Sequence, residues 1–416
     1  RDIITIMKMQ LMFSNPNSEG KKIPSAHSSR LLRLLWMVNK KLKVCFVIHE
    51  FSFFKRIFFN LAEQIASSHD VTVITDCHNV SAQDDRLLNK SNVNLEHLQQ
   101  RPKSNRLKLI KYIYQLKRAV NKVDPDHIFY MTVEGSFFGS LVTKFRSRRK
   151  SYFVITGIGL DFFSKKLHDR LLQILYLFAF KTNLLKKNTS YIFQNSQHQQ
   201  LYLKAGFIGP KNSTVIGHFG IKLTNFIKTP SKNSIKFFFA GRLVKSKGIF
   251  ELLEAAKYLE KKYSNFEIII AGPYSTDSPD SLSSSERELL LDSNLIEYLG
   301  HIDYEQMYSL YQKFDVFVLP SYMEGLSTAA LEAAANGMPL IVTDVPGCAE
   351  CINNNGFLVQ PRDSFSLAKA MELFLKDPNL ISGFSKNSIE HVKKNYSIEI
   401  MTAAYLELIN KKEDAI

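Results

Sequence analysis

The stretch that decides the fold is Asp315-Val-Phe-Val-Leu-Pro-Ser-Tyr-Met-Glu-Gly-Leu-Ser-Thr-Ala-Ala-Leu-Glu-Ala-Ala-Ala-Asn-Gly-Met-Pro-Leu-Ile-Val-Thr343. It opens and closes with apolar runs of strand length. Ser327 and Gly337 are typical of the two ends of a helix, so the pattern predicts a helix from about Thr328 to Asn336. Two short buried strands joined by a helix form a βαβ unit with parallel strands.

The same alternation of strands and helices continues on both sides of this unit. Strands with little internal alternation are buried on both faces, and helices between them predict parallel sheets. The predicted strands are Lys43–Ile48, Val71–Thr75, His127–Met131, Ser151–Ile155, Ser190–Gln194, Lys236–Ala240, Phe266–Ala271, Ile296–Leu299, Asp315–Leu319, Pro339–Thr343 and Phe357–Val359. The predicted helices of the first half are Phe53–Ser68, Asn105–Lys122, Gly135–Arg146 and Lys165–Leu185. The class is therefore α/β, with two doubly wound parallel-sheet domains in tandem.

The length of 416 residues fits two domains of ordinary size. We place an N-terminal Rossmann-like domain at residues 42–228 and a C-terminal one at 229–395, with Lys222–Asn233 as the linker. Residues 1–41 are interpreted as an extension outside the fold, with Met37 as the natural start. A C-terminal helix at 396–416 completes the chain, and whether it returns to the first domain stays open.

Composition and charge limit the classes of function. Apolar residues make up 45% of the chain, which is typical of globular proteins. No apolar run approaches the ~20 residues of a membrane span, which argues against an integral membrane protein. The net charge of +15 hides a division, because the first 235 residues hold 37 basic and 14 acidic side chains and the remainder 17 and 25. The basic half is expected to face phosphates, either of a nucleic acid or of an anionic membrane.

The loop after the predicted strand Lys236–Ala240 has the composition of a phosphate site. It reads Gly241-Arg242-Leu-Val-Lys245-Ser-Lys247-Gly248 and leads into a helix. Glycines allow close backbone approach, and cations at a helix N-terminus favour a phosphate or diphosphate. The alternative is an exposed turn with solvated lysines. The loop does not match the P-loop pattern.

Two glutamates flank the start of the predicted helix Thr328–Asn336. Glu324 precedes it, while Glu332 lies about 6 Å along it. This is unlike the carboxylate pair of a retaining glycosidase, which is about 5 Å apart. It suits two separate hydroxyl-binding tasks, although a loop acid plus a solvated helix acid is the commoner arrangement.

Taken together, these motifs resemble the GT-B retaining glycosyltransferases of the GT4 type, the glycosyl transferases group 1. The resemblance covers about Lys236–Leu375 and extends more weakly back to Lys43. Further segments look like the bacterial branch that extends polyprenyl-diphosphate-linked oligosaccharides, which includes the bacillosaminyl-diphospho-undecaprenol N-acetylgalactosaminyltransferases. Those segments are Val154-Ile-Thr-Gly-Ile-Gly159, Tyr191-Ile-Phe-Gln-Asn195 and Asp344-Val-Pro-Gly-Cys-Ala-Glu350. The resemblance implies two Rossmann-like domains facing across a cleft.

The resemblance also implies roles for individual residues. Arg242 and Lys247 would hold the nucleotide diphosphate and neutralise charge as it leaves, and Glu324 would orient the donor sugar. Glu332 would bind the ribose hydroxyls. The remaining donor-binding positions are Gly241, Gly272, Gly325, Leu326 and Ser327. His49 and Arg56 occupy the loop that serves the acceptor side, which lacks the glycines of many relatives. The alternative for His49 is a capped or partly buried histidine.

The family retains the anomeric configuration by front-face attack, so the resemblance implies no dedicated nucleophile, no cofactor and no metal. Asp124-Pro-Asp126 matches the Asp-x-Asp pattern of metal-binding motifs but is interpreted as a turn.

The predicted reaction moves a sugar, an N-acetylhexosamine, from a UDP-sugar to a polyprenyl-diphosphate-linked saccharide in surface polysaccharide or glycan assembly. The enzyme would be cytoplasmic and peripheral on the inner face of the bacterial membrane. Its basic helix near Lys103–Arg118, with Arg146–Lys150, Lys165, Lys166 and Arg170, would lie on anionic lipid. The alternative for this helix is a solvated face packed on the sheet. Alternative functions are a GT4 transferase with a non-lipid acceptor, a two-domain sugar-nucleotide epimerase and a nucleic-acid-binding protein, although no nucleic-acid-binding module is present.

Overall fold

The computed structural model describes residues 41–76, 80–99, 106–143, 148–157, 174, 178–183, 188–224, 226–231, 233–275 and 280–411. Two parallel β-sheets organise this part of the chain. The first sheet has seven strands in the order β3-β2-β1-β4-β5-β6-β7. These strands are β1 Lys43–Val47, β2 Asp70–Asp76, β3 Val93–Leu98, β4 His127–Met131, β5 Lys150–Ile155, β6 Thr189–Phe193 and β7 Ser213–Val215.

The second sheet has six strands in the order β10-β9-β8-β11-β12-β13. They are β8 Ile235–Ala240, β9 Phe266–Ala271, β10 Glu297–Tyr298, β11 Val316–Leu319, β12 Leu340–Thr343 and β13 Gly356–Val359. In both sheets the strand order reverses next to the first strand, between β1 and β4 and between β8 and β11. At such switch points of a doubly wound sheet, the loops at the carboxyl ends of the strands diverge and leave a crevice.

Thirteen α-helices connect and cover the strands in the described part of the chain. In the first domain they are α1 Phe51–Ile57, α2 Phe59–Ala66, α3 Ala82–Lys90, α4 Arg106–Val123, α5 Thr132–Val142 and α6 Ser196–Lys204. In the second they are α7 Ile249–Leu259, α8 Ser284–Leu291, α9 Tyr304–Tyr311, α10 Thr328–Ala335, α11 Ser364–Lys376 and α12 Asn379–Asn395, followed by α13 Ile398–Asn410. The predicted fold class is confirmed.

Several predicted elements are wrong in detail. The predicted helix Phe53–Ser68 consists of α1 and α2, which meet at Phe58. The Phe58 ring packs against Phe219, with ring centroids 4.3 Å apart. The predicted helix Gly135–Arg146 begins earlier, at Thr132, and α5 ends at Val142. Two edge strands, β3 and β7, and helices α3 and α6 are absent from the prediction.

The strands are buried because helices cover both faces of each sheet. Strand β4 is buried at all five positions and β11 at all four. This agrees with their sequences, which are apolar with no alternation. The two domains consequently have separate hydrophobic cores.

The last helix leaves the second domain and packs against the first sheet. Tyr405 of α13 is fully buried, with its ring 5.6 Å from that of Phe129 in β4. The Tyr152 hydroxyl of β5 donates a hydrogen bond to the Leu408 carbonyl at 3.0 Å. The Lys150 ammonium donates to the Lys411 carbonyl at 2.8 Å. The chain therefore passes between the domains twice, once before β8 and once before α13.

Some predicted features lie outside the described residues. They are most of the N-terminal extension with Met37, most of the predicted helix Lys165–Leu185, Gly159, and the basic side chains Lys103, Arg146, Lys165, Lys166 and Arg170.

Candidate active site

The switch point of the second sheet brings two predicted loops together. The loop after β8 ends at Gly248, whose backbone is left-handed with φ +71°. A β-carbon there would lie 2.1 Å from the Pro320 carbonyl oxygen in the loop after β11. Tyr322 N–H also donates to the Ser246 carbonyl at 2.8 Å. Glycine at 248 thus lets the two loops touch.

The contact between the loops joins Lys247 to Glu324. Their side chains form an ion pair, and both are mostly buried, with 18% and 13% of the side chain exposed. Lys245 pairs instead with Glu286 at 2.7 Å, outside this contact. Arg242 is exposed and forms no ion pair with any described residue. Its guanidinium is therefore available to an anion at this edge of the sheet.

A second close backbone contact fixes the start of the β8 loop. A β-carbon on Gly272, which follows β9, would lie 1.8 Å from the Gly241 carbonyl oxygen. Gly241 N–H donates to the Ala271 carbonyl at 3.0 Å. The predicted donor-side glycines Gly241 and Gly272 therefore lie against each other.

Helix α10 begins directly after the Glu324 loop. Ser327 caps it by accepting a hydrogen bond from Ala330 N–H at 3.3 Å. Ser327 N–H donates to the Gly347 carbonyl at 2.8 Å, and Leu326 is buried. The positive end of the helix dipole consequently lies beside the Lys247–Glu324 pair, an arrangement that favours a bound anion.

Glu332 is buried within α10, with 5% of its surface exposed. The solvated alternative for this carboxylate is wrong, because α10 is buried along most of its length. The Tyr311 hydroxyl donates to Glu332 Oε2 at 3.2 Å. Burial raises the pKa of Glu332 to about 7, while the hydroxyls of Tyr311 and Tyr304 and the charge of Arg56 act in the opposite direction.

Three tyrosines of α9 were missed as candidate site residues. Tyr304, Tyr308 and Tyr311 all interact electrostatically with Glu332, and burial raises the pKa of each hydroxyl. Their spacing of four and three residues places them on one helix face. That spacing is visible in the sequence and could have marked them.

The predicted acceptor-side residues separate in the structure. His49 Nδ1 lies 2.6 Å from the Tyr112 hydroxyl, and its ring meets the Phe138 ring edge-on at 5.5 Å. Arg56 instead influences Glu332 and Tyr304 of the second domain. His49 therefore belongs to the first domain's switch point, whereas the positive charge of Arg56 acts on Glu332 of the second domain.

Contacts across the cleft converge on the loop that carries Glu324. A β-carbon on Gly325 would lie 1.9 Å from the Thr156 carbonyl oxygen, which follows β5. His218, buried before the linker, has Nε2 3.0 Å from the Thr328 hydroxyl at the start of α10. Burial lowers the pKa of His218 to about 4, so this imidazole is neutral. The two domains meet at the N-terminal end of α10.

The predicted turn at Asp124-Pro-Asp126 is occupied by structural contacts. Asp124 pairs with Arg149 at 2.8 Å, and Asp126 accepts a hydrogen bond from Lys43 N–H at 2.9 Å. Among the described residues, no group of three or more His, Cys, Asp or Glu side chains is placed to hold a metal ion. Within the same residues, no helix combines the length and the hydropathy that crossing a bilayer requires.

Comparison with known proteins relates both domains to sugar-transferring enzymes. Residues 220–391 match the family "Glycosyl transferases group 1", and residues 43–196 match "Glycosyl transferase 4-like". The chain is 25% identical over 319 residues to the N,N'-diacetylbacillosaminyl-diphospho-undecaprenol alpha-1,3-N-acetylgalactosaminyltransferase of Campylobacter jejuni. That match covers 73% of this chain and 81% of the relative.

Solved structures share the fold. Anabaena HepE in complex with UDP and glucose superposes with a TM-score of 0.68 at 16% identity, covering 89% of this chain and 100% of that one. A mutant of Staphylococcus aureus TarM in complex with Fondaparinux, alpha-GlcNAc-glycerol and UDP gives 0.68 at 14% identity, covering 89% and 100%. With both domains matched and the GT-B architecture present, the chain belongs to the glycosyltransferases of the GT4 type.

Proposed function

We propose that this enzyme transfers an N-acetylhexosamine, with retention of configuration, from a UDP-sugar to a polyprenyl-diphosphate-linked saccharide. The observation that carries the donor half is the Lys247–Glu324 ion pair beside the start of α10, with Arg242 exposed in the same loop as Lys247. This arrangement combines an exposed guanidinium, a lysine–glutamate pair and a helix N-terminus. A diphosphate needs such a set of donors and positive charge.

Each residue has a distinct task in the proposed reaction. Arg242 and Lys247 bind the diphosphate and stabilise the negative charge that develops as the bond to the sugar breaks. Glu324, held by Lys247, accepts hydrogen bonds from the donor sugar. Glu332 accepts hydrogen bonds from the ribose hydroxyls and is oriented for this by Tyr311. In front-face attack, the departing phosphate takes the proton of the acceptor hydroxyl, so no protein nucleophile is required.

Closure of the two domains would protect the donor from water. The Thr156 carbonyl faces Gly325, the residue after Glu324, so closure would exclude water from the place proposed for the sugar.

The donor half is tested with a panel of UDP, GDP and their sugars, read by ligand-induced thermal shift. We expect uridine nucleotides to stabilise the wild type and to stabilise Glu332→Ala much less. The transfer half is tested with a synthetic polyprenyl-diphosphate saccharide, and the anomeric configuration of the product is read by NMR. Stabilisation by no nucleotide, or an inverted product, would contradict the proposal.

The lipid-linked acceptor has two supports. The Campylobacter jejuni relative carries a diphospho-undecaprenol acceptor in its name. In addition, α4 exposes two large apolar side chains, Ile110 at 65% and Tyr114 at 66%. Lys111, Lys117 and Arg118 on the same helix are exposed as well. Apolar side chains among exposed cations are what binding to an anionic interface requires.

The opposite face of α4 packs on the sheet, with Tyr112 and Leu116 buried. Part of the predicted surface helix therefore belongs to the core. Among the side chains that the structure describes from residue 109 onward, Ile110 and Tyr114 are the exposed large apolar ones available to lipid. We propose that this face holds the enzyme at the cytoplasmic surface of the membrane.

Flotation with vesicles tests this membrane contact. We expect binding to vesicles containing anionic lipid and weak binding to neutral vesicles, at about 1 kcal/mol for each cation near the headgroups. Lys111→Glu with Lys117→Glu should abolish the difference. The matched control is Lys393→Glu with Lys394→Glu, which changes two exposed lysines on α12 of the acidic half. Equal flotation of both double variants would favour a soluble acceptor.

A further inference from the structure

The segment Tyr191-Ile-Phe-Gln-Asn195 has no role in the reaction described so far. It contains the last three residues of strand β6 and ends at Asn195, the N-cap of α6. Asn195 is 2% exposed, although it lies at the cleft edge of the first sheet. A buried amide must have its donors and acceptor satisfied, and its partners therefore indicate what it does.

Both ends of the Asn195 side chain are hydrogen-bonded. Oδ1 accepts from His198 N–H at 2.7 Å, which caps α6. Nδ2 lies 3.1 Å from His198 Nδ1 and donates to the Gly325 carbonyl of the second domain at 2.5 Å. The amide therefore joins the first domain to the loop that carries Glu324.

The chemistry of the partners fixes the orientation of this amide. A reversed amide would turn its NH₂ group toward His198 N–H and its oxygen toward the Gly325 carbonyl, so that like groups would oppose each other. His198 is fully buried, and burial lowers the pKa of its imidazole to about 4. The neutral ring can accept at Nδ1, which holds the amide with one N–H directed at Gly325.

The held loop is also fixed within its own domain. A β-carbon on Gly347 would lie 2.5 Å from the Glu324 carbonyl oxygen and 2.7 Å from that of Gly325. On the other side, Gly325 faces the Thr156 carbonyl. The loop is thus confined between Gly347 behind it and the first domain in front, and Asn195 supplies the directional hydrogen bond across the cleft.

We propose that Asn195, oriented by His198, is a positioning residue through which the first domain sets the Glu324 loop when the cleft is closed. The inference rests on the proposed sugar transfer and deepens it. The Asn195 amide is occupied by His198 and Gly325, which leaves it a positioning role and not a donor-binding one. It holds the backbone next to Glu324, so the donor-binding geometry is completed only when the domains meet.

Asn195→Asp separates this role from the capping role. Aspartate keeps an Oδ1 acceptor and is as good an N-cap as asparagine, so α6 should stay capped. An ionised aspartate cannot donate to Gly325, and it turns a carboxylate oxygen toward that carbonyl. Asn195→Ser is a second variant that can cap α6 but is too short to cross the cleft. We expect each variant to lower kcat about tenfold or more while the KM for the donor changes less.

Hydrogen exchange supplies a readout that needs no substrate. In ligand-free protein, the amides of residues 322–328 should exchange faster in both variants than in the wild type, whereas those of α6 should not. Faster exchange together with lower kcat supports the proposal. Unchanged exchange, or faster exchange with unchanged kcat, overturns it. If the wild type transfers no sugar, the proposed function fails, while the exchange comparison still decides whether Asn195 holds the loop.

Discussion

Adding one methyl group at Gly325 should separate the two domains. The β-carbon of an alanine would lie 1.9 Å from the Thr156 carbonyl oxygen and 2.8 Å from Gln194 Oε1. The Gln194 side chain can move, but the Thr156 carbonyl belongs to the backbone. An ordinary contact begins at 3.4 Å, so the loop and Thr156 must move about 1.5 Å apart. Because φ at Gly325 is outside the left-handed region, alanine adds no backbone strain.

The expected loss of activity in Gly325→Ala follows from this overlap. Forcing an extra methyl group into a packed contact costs about 1–3 kcal/mol. Here this free energy destabilises only the closed arrangement of the two domains. At 1.36 kcal/mol for each factor of ten, kcat/KM should fall about 5- to 150-fold. The assay is sugar transfer at low donor concentration. The melting temperature should change little, because opening the cleft relieves the overlap without disturbing either core.

Gly383→Ala is the matched control. Gly383 lies within α12, and a β-carbon there meets nothing within 4 Å. The same substitution should leave kcat/KM unchanged and stabilise the helix by about 0.5–1 kcal/mol. Wild-type activity in Gly325→Ala would refute the reasoning, because the domains would then not need to meet at this loop during catalysis.

Three further predictions concern charge and backbone at the donor side. Since burial raises the pKa of Glu332 to about 7, its stabilising effect is complete below pH 4.5 and is lost as the pH rises through 7. The melting temperature should therefore fall less between pH 5 and 8 in Glu332→Gln than in the wild type. The difference between the two proteins is equivalent to at most about 3 kcal/mol of unfolding free energy. Equal dependence of melting temperature on pH in both would contradict this. Arg56→Gln removes a charge that lowers the pKa of Glu332. The pH midpoint of UDP binding, measured by calorimetry, should therefore move upward. An unchanged midpoint would show that Arg56 does not act on Glu332. Gly248→Ala adds left-handed backbone strain and a clash with Pro320, and the clash should cost about 1–3 kcal/mol of unfolding free energy beyond the strain alone. The control Gly206→Ala, at φ +69° in open space, measures the strain by itself in the same thermal melts. Equal losses of stability in the two variants would show that the clash is relieved.

The central strands could be predicted from the sequence because burial leaves a continuous apolar pattern. Strands β1, β4, β8 and β11 all have it, and each was placed within a residue or two. The edge strand β3 (Val-Asn-Leu-Glu-His-Leu) is polar at half of its positions, because one of its sides has no neighbouring strand. Strand β7 is only three residues long. Neither carries enough signal to stand out from a loop.

Some features of the candidate site depend only on neighbouring sequence, and others depend on contacts between residues that are far apart in the chain. Lys247, Glu324 and the capped start of α10 are local motifs, so their positions could be read from the chain. The burial of Glu332 could not, since it depends on side chains from other elements, such as Tyr311 of α9, that lie against it in the fold. Asn195 meets Gly325 across 130 residues of sequence, and only the closing of two separately folded domains brings them together.

The return of α13 to the first sheet has a consequence for how the protein is made. Tyr405 and Ile409 are buried, with Tyr405 against the ring of Phe129 in β4, yet they follow the last strand of the first sheet by nearly 200 residues. At about 5–20 residues per second, a ribosome needs roughly 10–40 seconds to add them. During that interval the surface of the first domain that binds α13, including the ring of Phe129, stays uncovered until α13 has been synthesised.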